Sequence, residues 1–213
     1  MRHAAFDRPL LRRTAGLRFW RLLGTGRGRS TTPGADLRRW ALLAVWRSEE
    51  DLEGFLRASP VAGRWRAEAR EAWHVRLLPL AARGRWGGTD PFADVSARPA
   101  EWAGPVAVLT RAAIRPGRLV AFYRSVPAVD ASLRDQEGCL RSVGMGEWPL
   151  ARQATFSLWR DQAAVHGFAY RGAAHRDVIA RVRAHNWYSE ELFARFAPYA
   201  QEGTWDGSDP LTA

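Results

Sequence analysis

Apolar residues fall along this chain in short runs broken by glycine, proline and acidic residues, the spacing of strands and short helices. Leu17 to Leu23 is a compact apolar run that ends at Gly24-Thr25-Gly26, which predicts a strand closed by a glycine turn. Trp40 to Trp46 predicts a second strand, and the amphipathic stretch from Ser48 onward predicts a helix with Ser48 as its N-cap. Trp73 to Leu80 closes this pattern as a further strand. The second half of the chain repeats it. Val106 to Thr110 predicts an opening strand and Leu119 to Leu133 a helix. Cys139 to Val143 and Ala154 to Trp159 predict strands, Asp161 onward a capped helix, and Gln201 to Trp205 a closing run.

The likeness of the two halves extends to individual residues. Residues 44–57 read AVWRSEEDLEGFLR and residues 157–170 read SLWRDQAAVHGFAY, matching Trp46-Arg47 with Trp159-Arg160 and Gly54-Phe55 with Gly167-Phe168. Gly24-Thr-Gly26 matches Gly144-Met-Gly146, and Gly84-Arg-Trp86 matches Gly203-Thr-Trp205. Four ordered matches at a period of about 115 residues indicate duplicated domains and not a solenoid. Strand-helix-strand-strand-helix-strand in the second copy is the ferredoxin-like pattern. The fold expected is therefore α+β, with two tandem ferredoxin-like units, residues 1–100 and 101–213, forming a pseudo-dimeric barrel by packing sheet to sheet or by pairing with a second chain. The first unit is expected to lack its opening strand. Gly87 to Pro105 is the expected linker.

Composition narrows the chemistry. With 213 residues the chain can bury a sizeable core without staples. A single cysteine, Cys139, excludes a disulfide framework and a CxxC metal site. All 32 basic residues are arginine, which excludes a lysine Schiff base and a P-loop. The net charge of +10 reflects arginine usage more than nucleic-acid binding, but its distribution is informative. Arg8 to Ala35 holds seven arginines and no acid, a patch that suits phosphates, anionic headgroups or an acidic protein, with a solvated face as the plain alternative. No apolar run is long enough for a transmembrane helix, and the N-terminus has no secretory h-region.

The histidines form no spaced metal cluster. Val165, Phe168, Gly172, His175, Ile179 and Val182 follow a helical stripe, so His175 is expected on the buried face and His166 beside it, more exposed. A histidine on such a face is most often a satisfied core residue. His166-Gly-Phe-Ala-Tyr170 mimics part of an RNA-binding aromatic motif, but it follows Trp159-Arg160-Asp161 onto a helix instead of a central strand, and it is rejected as a site.

A set of stretches distributed through the chain resembles the spheroidene monooxygenase family of carotenoid biosynthesis. They are Phe19-Trp-Arg-Leu-Leu-Gly-Thr-Gly26, Trp40-Ala-Leu-Leu-Ala-Val-Trp46, Ser59-Pro-Val with Arg64-Trp65, and Gly84-Arg-Trp86 with Asp90-Pro-Phe92. Leu109-Thr-Arg111-Ala, Gly144-Met-Gly-Glu147 and Ala154-Thr-Phe-Ser-Leu-Trp159 continue the series. Ala174-His175, Trp187, Glu190-Glu-Leu-Phe-Ala-Arg-Phe196 and Asp209-Pro210 complete it.

The resemblance implies a dimeric α+β-barrel protein that uses haem, molecular oxygen and ferredoxin-derived electrons to introduce a keto group into an acyclic carotenoid such as spheroidene. It singles out His175 as the axial haem ligand, since Ala174-His175 matches the family pattern while His74 and His166 stand where other residue types are usual. The partners implied are reduced ferredoxin or a similar electron donor and an apolar polyene, with a homodimer compatible and nucleic acid disfavoured. The expected location is cytoplasmic, peripheral on the inner face of the membrane, with Arg12, Arg13, Arg18 and Arg21 as the partner or membrane patch. Two rival readings remain beside it: a cofactor-free barrel monooxygenase on another apolar substrate, and a non-enzymatic RNA- or haem-binding protein.

Overall fold

A computed structural model describes residues 4–26, 35–93, 102–134, 136–148, 152–171 and 184–212. The N-terminal half runs α1 (Ala4–Arg12), β1 (Leu17–Gly26), β2 (Ala35–Trp46), α2 (Glu49–Ala58), α3 (Pro60–Glu68) and β3 (Trp73–Gly84). The C-terminal half runs β4 (Val106–Ile114), α4 (Leu119–Arg134), β5 (Cys139–Trp148), β6 (Arg152–Trp159), α5 (Gln162–Arg171) and β7 (Tyr188–Gly203).

Local chemistry explains the helix starts. Ser48 caps α2, its hydroxyl accepting from the Asp51 N–H at 3.3 Å. Ser59 caps α3 in the same way, with Pro60 at the first helical position, where its missing N–H costs nothing. Asp161 accepts from the Ala164 N–H at 2.7 Å at the start of α5, which also lowers its carboxyl pKa. Two helices, α1 and α3, add to the expected pattern.

The strands form one antiparallel seven-stranded sheet, ordered β2-β1-β5-β6-β4-β7-β3. Within it the C-terminal half keeps the ferredoxin-like order β5-β6-β4-β7. The two halves join edge to edge instead of stacking sheet on sheet. On one side β3 pairs with β7 along its whole length, from Trp73 opposite Gly203 to Gly84 opposite Leu192. On the other side β1 meets β5 at Gly24 opposite Gly146 and Thr25 opposite Met145.

That second junction corrects the reading of the repeated glycines. They are strand residues and not turns: Gly24-Thr25-Gly26 forms the last three residues of β1, Gly144-Met145-Gly146 lies inside β5, and the two triplets meet where the halves cross. A Cβ on Gly146 would stand 3.2 Å from the Arg152 carbonyl oxygen, so the glycine accommodates a close backbone approach. A second correction concerns β7, expected only from Gln201 but beginning at Tyr188. Its inward residues Leu192, Ala194 and Phe196 face the interior while Phe193 packs outward, and this two-sided burial hides the alternation.

Alternate burial divides the core into layers. The inner face of the curled sheet gathers Phe19, Leu23, Trp86, Phe92, Leu109, Val143, Leu158, Leu192 and Phe196 from both halves. Val106, Val108, Leu133, Trp159 and Val165 pack the sheet against α4 and α5. Leu11, Leu22, Phe55 and Val61 do the same beneath α1, α2 and α3.

The outer strands are β2 and β3, and among the described residues no strand fills the place between them. This is the place that an opening strand of the first unit would take in the ferredoxin-like pattern. Successive antiparallel pairings leave β2 and β3 pointing the same way, so one strand antiparallel to both would complete an eight-stranded barrel. Side chains bridge the seam instead. Arg76 on β3 pairs with Glu49 and Glu53 of α2, and Arg39 on β2 pairs with Asp206 beyond β7.

Candidate active site

On the inner face, the alternation that buries Phe19, Leu109, Met145 and Leu192 also carries charged residues inward. Arg21 follows Phe19 on β1, Arg111 follows Leu109 on β4, Glu147 follows Met145 on β5, and Glu190 precedes Leu192 on β7. These four converge with Trp86, which the tight turn after β3 folds back into the core at 1% exposure.

The cluster is closely hydrogen-bonded. Arg21 Nε lies 2.8 Å from Glu147 Oε1, and its Nη2 donates to the Trp86 carbonyl at 3.1 Å. The Trp86 indole donates to Glu147 Oε2 at 2.9 Å. Arg111 pairs with Glu190 and stands 4.0 Å from Glu147. Glu190 also accepts from the N–H groups of Gly87 and Gly88 at 2.7 and 2.6 Å. Both guanidiniums lie against aromatic faces, Arg21 4.2 Å from the Phe19 centroid and Arg111 5.6 Å from that of Trp86.

Two arginines and two glutamates leave the cluster neutral, which permits its burial. Burial lowers the Arg21 pKa, opposed by the attraction of Glu147 and assisted by repulsion from Arg111. Burial pushes the Glu190 carboxyl up, but the Gly88 and Gly87 N–H groups and the Arg111 guanidinium outweigh it and hold the group below the usual carboxylate range. Glu190 therefore stays ionised opposite Arg111. Arg111 is 2% exposed on its side chain, and among the described residues its Nε has no hydrogen-bond partner. An oxygen acceptor on a bound molecule would satisfy this N–H.

Next to this polar group the interior is apolar and aromatic. Phe19 meets Trp86 edge-on at 6.0 Å, and Phe92 meets Phe196 at 5.2 Å. These rings form the buried apolar layer beside the charged cluster.

The residues singled out from the sequence separate into three groups. His175 lies outside the described residues. Arg12 and Arg13 are exposed at the end of α1 and Arg18 at the start of β1, whereas Arg21 turns into the interior cluster and leaves that patch. His74, His166 and His185 are all exposed, and His166 lies 3.2 Å from an Arg195 nitrogen. The exposure of His166 and the burial of Val165 agree with the helical stripe.

For an iron porphyrin the described residues supply apolar walls but no buried imidazole. The buried thiol of Cys139 belongs to the helix-side layer, 3.7 Å from the Arg141 carbonyl. Among the described residues no group of three or more histidine, cysteine or carboxylate side chains could hold a metal ion.

Sequence reasoning missed the roles of Trp86, Arg111, Glu147 and Glu190, although all four stand within stretches that carry the family resemblance. The available signal was their phase. Arg111, Glu147 and Glu190 each sit on the same strand face as an inward apolar residue, where a charge is out of place unless paired.

No family model matches the chain. The curated spheroidene monooxygenase of Rhodobacter capsulatus is 39% identical over 197 residues, covering 92% of this chain and 82% of that protein. The spheroidene monooxygenase of Cereibacter sphaeroides is 38% identical over 196 residues, covering 91% of this chain and 60% of that protein. Among solved structures, SnoaB, a cofactor-independent oxygenase from Streptomyces nogalater, overlaps 46% of this chain and 96% of its own at 17% identity and a TM-score of 0.38.

Proposed function

The chain belongs to the spheroidene monooxygenase family, and on that premise we propose that it transfers oxygen from O2 into an acyclic carotenoid, leaving a keto group on the polyene. The observation that carries the reading is convergence. Family-like stretches far apart in sequence supply Trp86, Arg111, Glu147 and Glu190 to one place on the inner face of the sheet. The aromatic interior would enclose the polyene and exclude water, while the Arg111 Nε–H would anchor an oxygen atom of the bound molecule. Glu190 and Glu147 pair with Arg111 and fix its position.

The cofactor in this reading is haem, with His175 as its axial ligand. Haem would supply the activation of O2, and the chain would supply the ligand, a dry pocket and substrate orientation. Reduced ferredoxin or a similar protein would deliver electrons, a homodimer is compatible with the reading, and the setting would be the cytoplasmic face of the membrane. Expression with a haem precursor tests the cofactor. Wild-type protein should show a Soret band that His175→Ala loses and that His166→Ala and His185→Ala keep. A colourless wild-type protein that cannot be reconstituted would exclude haem and favour cofactor-free oxygenation.

A further inference from the structure

Helix α1 presents an unusual outer face. At about 100° per residue, Asp7 and Leu11 point to one side of the helix, and both are buried, at 2% and 1%. The opposite side carries Phe6, Pro9 and Arg12, with Arg8 on one flank and Leu10 next to Phe6 on the other; Arg13 follows directly after the helix, and all six are exposed. Phe6 is 71% and Leu10 41% exposed, among the most exposed large apolar side chains described. The only acid of the helix does not offset this positive charge at the surface. Asp7 is turned inward, paired with Arg64 and accepting from the Trp65 indole at 2.9 Å. Arg18, exposed at the start of β1, extends the basic surface.

We propose that α1 is a docking element for an anionic lipid bilayer, with Phe6 and Leu10 entering the interface and Arg8, Arg12 and Arg13 engaging headgroup phosphates. Exposed apolar side chains beside a row of arginines match a surface that is hydrophobic below and negative above. An acidic protein would account for the arginines, but a solvated acidic face offers an exposed phenylalanine and leucine nothing to bury against, so the bilayer is the better fit. The inference rests on the geometry of α1 and stands apart from the proposed carotenoid chemistry. No helix among the described residues is long and apolar enough to cross a membrane, so contact through α1 would be peripheral.

The test is co-sedimentation of the full chain with vesicles of phosphatidylcholine alone or mixed with phosphatidylglycerol, at low and high salt. Binding should require the anionic lipid and weaken with salt. Each of Arg8→Gln, Arg12→Gln and Arg13→Gln should weaken it about fivefold. Phe6→Ser with Leu10→Ser should weaken it about tenfold or more, with an unchanged far-ultraviolet circular dichroism spectrum. Val120→Ser, at a 65% exposed apolar residue on α4, should leave binding unchanged. Three results would overturn the proposal: no binding to anionic vesicles, equal loss with Val120→Ser, or binding that depends on the arginines but not on Phe6 and Leu10. The last would point to an acidic protein partner.

Discussion

Glu190 and Glu71 are repeat counterparts, and each grips the turn that closes the other half of the chain. Glu190 accepts from the N–H groups of Gly87 and Gly88 in the turn after β3, while Glu71 accepts from the Gly207 N–H at 2.6 Å and the Thr204 hydroxyl at 2.8 Å after β7. The arginines repeat as well. Arg21 donates to the Trp20 carbonyl and to the Trp86 turn, and Arg141 donates to the Leu140 carbonyl and the Ser208 hydroxyl. The duplication therefore extends to cross-braces between the halves, but only the Glu190 brace also contacts a buried arginine.

That difference predicts unequal costs. Glu190→Ala leaves Arg111 buried without its nearest carboxylate and should destabilise the protein by about 3 kcal/mol or more. Glu71→Ala removes exposed hydrogen bonds and should cost less than about 1 kcal/mol. Denaturant unfolding of the two variants measures the gap, and similar losses would show that the interior cluster contributes no more than a surface turn.

The same glutamate should shape the acid limb of the stability curve. Its folded-state pKa lies below the ordinary value, so its contribution is fully present above the unfolded-state pKa and is lost as pH falls through the folded-state one. Wild-type stability should therefore fall on acidification below the usual carboxylate range. Glu190→Gln should flatten this slope, as seen by denaturant midpoints at a series of pH values, and an unchanged slope would remove Glu190 from the list of linked groups.

Glycines near the first turn should also respond unequally. Gly84 has φ +99, and a Cβ there would stand 2.1 Å from the Glu191 carbonyl oxygen, a backbone clash with no flexible side chain to yield. Gly88 has φ +77 but open space around it. Gly88→Ala should cost about 1 kcal/mol from conformational strain alone, and Gly84→Ala about 3 kcal/mol or more. Thermal unfolding of both variants checks the order.

How far the sequence speaks for this fold varies with the range of the interaction. Ser48 and Asp161 announce their helices because capping is local, and Trp40 to Trp46 announces a strand because its apolar run is unbroken. Gly24-Thr-Gly26 misleads because glycines at the end of an apolar run look like a turn until the facing Gly144-Met-Gly146 strand is known. The gap in the repeat before Leu17 was visible in the sequence, and among the described residues the sheet carries a matching seam between β2 and β3. The interior cluster was not legible as a site. Arg111 and Glu190 are far apart in sequence and become partners only because β4 pairs with β7.

The measurement that bears most directly on the proposed reaction is product analysis in cells that accumulate acyclic carotenoids, grown under isotopically heavy oxygen gas. Expression of this chain should yield keto-carotenoids carrying the heavy oxygen, and Arg111→Met should reduce their yield while the protein remains folded. Unchanged carotenoids, in cells where the Rhodobacter capsulatus relative converts the same pool, would contradict the proposed activity.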